Sequence, residues 1–183
     1  MEFLDVISRR RAVRQYLPTP IEKPLIERLV RAAVQAPSAM NQQPWAYAVI
    51  TGVDRIDQYA HRARAPLMTS SVVPPQLRDM LSNPEFSMFY HAPLLVLVLA
   101  KTDQPQARED SCLAAQTLML AARNEGLGSC WIGLAVPWLN LAEIKKELGL
   151  PPDCHVLAPI VMGHPAAWPE SPGRLEPEIH WLR

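Results

Sequence analysis

At 183 residues, 49% of them hydrophobic and 20% charged, the chain is long enough to bury a core and is not disordered as a whole. Lys+Arg 18 balance Asp+Glu 18, so a nucleic-acid or membrane-surface partner held by overall charge is disfavoured and any basic site must be local. The three cysteines, Cys112, Cys130 and Cys154, contain no close pair, which argues against a disulfide framework or a structural zinc site, and the five histidines lack metal-ligand spacing. No span approaches the ~20 apolar residues of a membrane helix, and the N-terminus is too short for a signal sequence. The expectation is one domain over residues 1–183, cytoplasmic and without metal.

Phe3, Leu4 and Ile7 recur at helical spacing and predict a short first helix packing one apolar face. It ends in a charge cluster, Arg9, Arg10, Arg11 and Arg14. Pro24 suits the first turn of a second helix, whose stripe is Leu25, Ile26, Leu29, Val30 and Ala33, and the pre-proline restriction stops it before Pro37. Ala36 to Trp45 then forms a corner with four polar side chains, Ser38, Asn41, Gln42 and Gln43, between two prolines. Such a corner clasps a ligand or satisfies its own turn.

Ala46 to Thr51 reads as a buried strand. Helical turns are expected around Arg55 to Ala63 and Gln76 to Leu81. Pro93 to Ala100 reads as a central strand, and Ser111 to Glu125 as a helix apolar nearly all round, made for the core or a subunit interface. Leu127 to Gly133 is a glycine-bracketed strand, and Asn140 with Glu143 resembles a capping box. Val156 to Met162 is the last strand, with Pro159 suggesting an edge or a bulge. A proline-rich arm follows, carrying Ile179 and Trp181. The fold class is α+β, a mostly antiparallel sheet of about four or five strands flanked by helices, with an extended C-terminal arm.

The arginine cluster matches a phosphate monoester in bidentate geometry. A solvated face, or ion pairs to Asp5, Glu22 or Glu27, explains the same arginines. Gly126 to Ser129 either brings backbone amides against a flat ligand or caps a helix before a strand. Cys130 reads as a small buried hydrophobe. No nucleophile dyad or carboxylate pair stands out, so the chemistry is expected from a cofactor.

Four blocks, SRRRAVRQY, APSAMNQQPW, AAQTLMLAARNEGLGSCWIG, and GHP followed by PGRLEP, stand in one order along nearly the whole chain. Together they resemble the signature regions of FMN-dependent nitroreductases. The resemblance implies a nitroreductase-like sandwich and a homodimer with FMN at the interface. It also implies NADH or NADPH as reductant and ping-pong reduction of nitroaromatics, quinones or similar small-molecule acceptors. Arg10 and the backbone of Ala12 would hold the phosphate, Arg11 would lie by the ribityl chain, and Arg14 would give electrostatic support at the flavin pyrimidine, with no catalytic side chain. Pro37, Ser38 and Asn41 would reach the flavin from the partner subunit. The amides of Ile132 and Gly133 would bond its O4 and N5 side, and Arg174 would close on the phosphate. Ala12 and Pro172 depart from the Ser and Lys of many members, which points to weaker phosphate affinity. A flavin-binding protein without turnover, for storage or sensing, and a dehalogenating or flavin-fragmenting member of the same fold are the alternatives.

Overall fold

A computed structural model describes residues 1–69 and 73–182, so residues 70–72 of the variable stretch at 63–90 lie outside the described residues. The elements are α1 (Phe3–Arg9), α2 (Lys23–Ala33), β1 (Trp45–Thr51), α3 (Val53–Met68), α4 (Pro75–Ser82) and β2 (Leu94–Ala100). They continue with α5 (Pro105–Asn124), β3 (Gly128–Trp131), α6 (Val136–Leu139), α7 (Ala142–Glu147) and β4 (His155–Gly163). The strands form one antiparallel sheet in the order β1-β2-β4-β3.

Strand β2 is buried along its whole length because both faces of the sheet are covered. The pleat sorts its side chains strictly. Leu95, Leu97 and Leu99 join Ile50 and Val161 against Ile56 and Tyr59 of α3 and Trp138 of α6. Leu94, Val96 and Val98 join Ile160 and Met162 against Ile26 and Leu29 of α2 and Leu118 of α5. The α2 stripe works as its spacing demands, with Ile26, Leu29 and Ala33 buried.

Several elements differ from the sequence expectation. In α1 the buried residue is Val6, while Phe3 and Leu4 are 69% and 75% exposed. Helix α5 starts at Pro105, and it buries Ala114, Ala115, Leu118, Met119 and Ala122 while leaving Leu113 exposed. Pro159 lies in an inner strand, not at an edge. The bulge is real, since the β2–β4 register shifts between Val98 and Leu99, so that Leu157 has no cross-strand partner. Asn140 forms no capping box: its amide donates to the carbonyls of Val136 and Val156 and its oxygen accepts from Val156 N–H, which ties α6 to β4. Leu141 is the N-cap residue of α7 instead. Among the described residues no helix is long and apolar enough to cross a membrane.

Candidate cofactor site

The arginine segment is laid along the free edge of β3. Ala12 bridges Ser129, Val13 N–H donates to Ser129 O at 3.0 Å, and Tyr16 bridges Pro165. Gly128 explains the closeness, because a Cβ there would stand 2.7 Å from Val13. The approach that this glycine permits is that of the chain itself, not of a flat ligand. Gly126, at φ +77, ends α5 with Leu127 N–H bonded to Ala122 O. Arg10 is the C-cap residue of α1, and Arg11 donates to the carbonyls of Ser8 and Arg10 at 2.7 Å, yet its Nε is buried without a partner.

Arg14 is exposed, with its guanidinium 5.9 Å from the Tyr90 ring centroid. Burial pushes the Cys130 thiol up despite Arg14, and it raises the Tyr16 phenol as well. Tyr90 and His91 both hold left-handed backbone, at φ 54 and 52. Asp57 locks that pair by accepting from Ser87 Oγ at 2.8 Å and holding His91 Nδ1 at 2.7 Å. The turn that carries Tyr90 is thereby tied to α3.

The polar corner is built at the other edge. Ser38 Oγ accepts from Gln43 N–H at 3.0 Å, and Gln43 donates to Asn41 Oδ1 at 3.1 Å. Met40, Asn41 and Gln43 take positive φ, a geometry that asparagine tolerates and that is unfavourable for the other two. Asp110, 3% exposed, anchors the turn by accepting Ala39 N–H on both oxygens and Gln106 Nε2 at 3.0 Å. Pro37 and Asn41 are exposed, and Met40 is 91% exposed. The corner satisfies part of itself and presents the rest outward.

These two halves stand far apart in one chain. Trp45, where the corner ends, pairs with Ala100 and through it with His155, whereas Ala12 reaches the sheet at Ser129, opposite Met162. They are separated by roughly 19 Å across the strands and by the run from His155 to Met162, about 20 Å, along them. Helix α5 gives the same measure: Asp110 holds the corner, and Arg123, close enough to sense Arg9 and Arg11, lies ~20 Å further along the axis.

Beyond β3 the sequence expectation fails in one detail. Ile132 N–H already donates to Pro159 O at 2.8 Å, so it closes the sheet and is not presented to a ligand. Gly133 opens a 3-10 turn, whose leading N–H has no partner inside the turn, and a Cβ added there would meet nothing within 4 Å. Next to it Leu134 joins Leu67, Val73, Leu77, Trp138 and Leu141 in lining an apolar cavity of about 450 Å³ between α3, α4 and α6. Arg174 lies on the extended arm and donates to its neighbour Gly173 O. No hydrogen bond or ion pair joins it to the Arg10–Arg14 segment among the described residues.

A family model described as the Nitroreductase family matches residues 7–164. The chain belongs to the nitroreductase family. A nitroreductase with bound FMN from Bacteroides fragilis superposes with a TM-score of 0.87 at 24% identity, each chain covered over 100%. A Methanothermobacter thermautotrophicus protein provisionally named an NADH dehydrogenase/NAD(P)H nitroreductase is 24% identical across 98% of this chain and 86% of its own. An iodotyrosine deiodinase from Thermotoga neapolitana is 28% identical across 88% of this chain and 87% of its own. The family and fold are therefore fixed, while the names carried by relatives span more than one reaction.

Within the nitroreductase fold, sequence reading missed Asp110, because it began α5 at Ser111. A signal was present: of the adjacent carboxylates Glu109 and Asp110, Asp110 shares a helical face with Ala107 and Ala114, where a buried acid needs a partner. Tyr90 carried no signal, since its contact with Arg14 depends on a strained turn that no local pattern announces.

Proposed function

We propose that the protein is an FMN-dependent NAD(P)H oxidoreductase working as a homodimer, with each flavin held between two subunits. The carrying observation is the separation of the arginine segment from the polar corner, farther than one flavin mononucleotide reaches. A two-fold arrangement that packs α5 antiparallel to its copy sets one chain's corner against the other's arginines. The half-exposed stripe Leu113, Thr117 and Leu120 on α5, and the exposed Phe3 and Leu4, supply apolar surface for such an interface.

The residues present suit the cofactor. Arg10 and the Ala12 amide fit a phosphate monoester, and Arg11, whose buried Nε lacks a partner, stands next to them on the ribityl side. Gly133, whose N–H has no partner inside its turn, would offer it to the ring edge. Arg14, near the Tyr90 ring, places a cation where negative charge develops at the pyrimidine. Pro37, Ser38 and Asn41 face the ring from the partner, and Arg174 closes from the arm. A bound FMN would accept a hydride equivalent from NADH or NADPH and pass it to a second substrate in a ping-pong cycle.

The acceptor enters the cavity beside Leu134. Its described lining is wholly aliphatic or aromatic, which favours a neutral nitroaromatic or quinone over a zwitterionic amino acid. Three free cysteines, two of them buried, accord with a reducing cytoplasmic setting.

The test is reconstitution of the purified protein with FMN, then NADH or NADPH oxidation with a quinone or nitroaromatic. Flavin binding with rapid oxidation is the expected result. A protein that stays colourless with added FMN contradicts the reading, and tight FMN without turnover leaves storage or sensing in its place.

A further inference from the structure

Arg123 sits in the last turn of α5, among the carbonyl ends that favour a cation. Its guanidinium carbon lies 3.5 Å from the centroid of the Trp168 ring. Its Nε is buried without a hydrogen-bond partner, as is the Nε of Arg11. Burial lowers the Arg123 pKa, and the nearby charges of Arg9 and Arg11 push it the same way. The ion pair between Arg9 and Asp5 is exposed and leaves these inner donors unmatched. Like charges gathered around unpaired buried donors are unfavourable unless an anion completes them.

The chain brings Trp168 here by design of the backbone. Leu17 N–H donates to His164 O at 2.8 Å, and Ala166 N–H donates to Gln15 O at 3.0 Å, so the strand leaving β4 is stitched to the arginine segment. Trp168 then joins Ala12, Arg14 and Gln15 around a cavity of about 250 Å³. Stacking on the indole covers one face of the guanidinium without using its N–H donors.

We propose that Arg123, stacked on Trp168, is an anion-binding residue that with Arg11 forms a notch for the phosphate monoester of the flavin nucleotide. The identity of the ligand rests on the flavin reading above; the notch itself rests on the side chains. Inorganic phosphate would meet the same donors. Trp168 is a positioning residue, holding the fork in plane with the anion.

The experiment compares wild type, Arg123→Ala and Arg123→Gln for affinity to FMN and to riboflavin, and for the rise in Tm on adding inorganic phosphate. Loss of one charge-assisted contact should weaken FMN binding about 10- to 100-fold and leave riboflavin within about twofold. Phosphate stabilisation should vanish in the same variants. Equal losses for FMN and riboflavin would make Arg123 a purely structural residue and overturn the proposal, as would unchanged FMN affinity with phosphate stabilisation intact. The glutamine variant keeps most of the stem volume and decides the matter should the alanine variant fail to fold. If wild type binds neither flavin, the cofactor reading fails, and the phosphate arm alone judges the notch: stabilisation lost in the variants supports it, and no stabilisation of wild type rejects it.

Discussion

The main-chain N–H of Ala39 donates to both carboxylate oxygens of Asp110, at 3.3 and 3.2 Å, so the polar corner is fixed to the start of α5 by one buried acid. Truncation by Asp110→Ala leaves that amide and Gln106 without their acceptor. The expected cost is about 1–3 kcal/mol in urea unfolding, with the corner loosened. An unchanged midpoint would show that the corner holds itself.

Arg10 and Arg14 extend from a segment pinned to β3, and neither has a carboxylate partner among the described ion pairs. Removing both, as Arg10→Ala with Arg14→Ala, should weaken FMN binding by a few kcal/mol, each charge-assisted bond being worth about 1.5–3. Flavin fluorescence titration at fixed ionic strength measures it. Full flavin retention would remove these residues from the phosphate and pyrimidine sites.

Leu77 is half-buried on the wall of the apolar cavity. An acid there places a charge against the acceptor but touches none of the proposed flavin contacts. Leu77→Asp should therefore raise KM for neutral aromatic acceptors and leave FMN affinity as it was. Unaltered kinetics would place the acceptor elsewhere.

His155 opens β4 with burial as the main cause of its lowered pKa, reinforced by Arg108 3.2 Å away and opposed by Asp103. The unfolded chain thus binds this proton more readily than the folded one. Stability tied to His155 rises with pH through the range below its ordinary value of 6.5 and levels off above it. His155→Gln should flatten the slope of unfolding free energy between about pH 5 and 7. The same slope in the variant would assign it to other groups.

The parts of the fold legible in the sequence are those in which periodicity and burial coincide. The α2 stripe and the all-apolar β2 show this, since each side chain's surroundings follow from its spacing. The arginines and the corner were visible as chemistry, but their separation was not, because strand order is a long-range property. One local reading failed where a tertiary partner won: Asn140 serves the backbone of Val156 instead of its own helix. The Ile132 amide, which the resemblance implied for the flavin, closes onto Pro159. Gly128 signalled a close approach correctly, while the sequence could not say that Val13 makes it.

The site shared between subunits is tested most directly by mixing two defective proteins, Arg10→Ala/Arg14→Ala and Ser38→Ala/Asn41→Ala, and measuring FMN retained per dimer after subunit exchange. If each flavin takes its arginines from one chain and its corner from the other, neither parent holds FMN well and the mixed dimer regains one intact site. Retention in the mixture no higher than the average of the two parents would contradict a shared site and return the corner to its own turn.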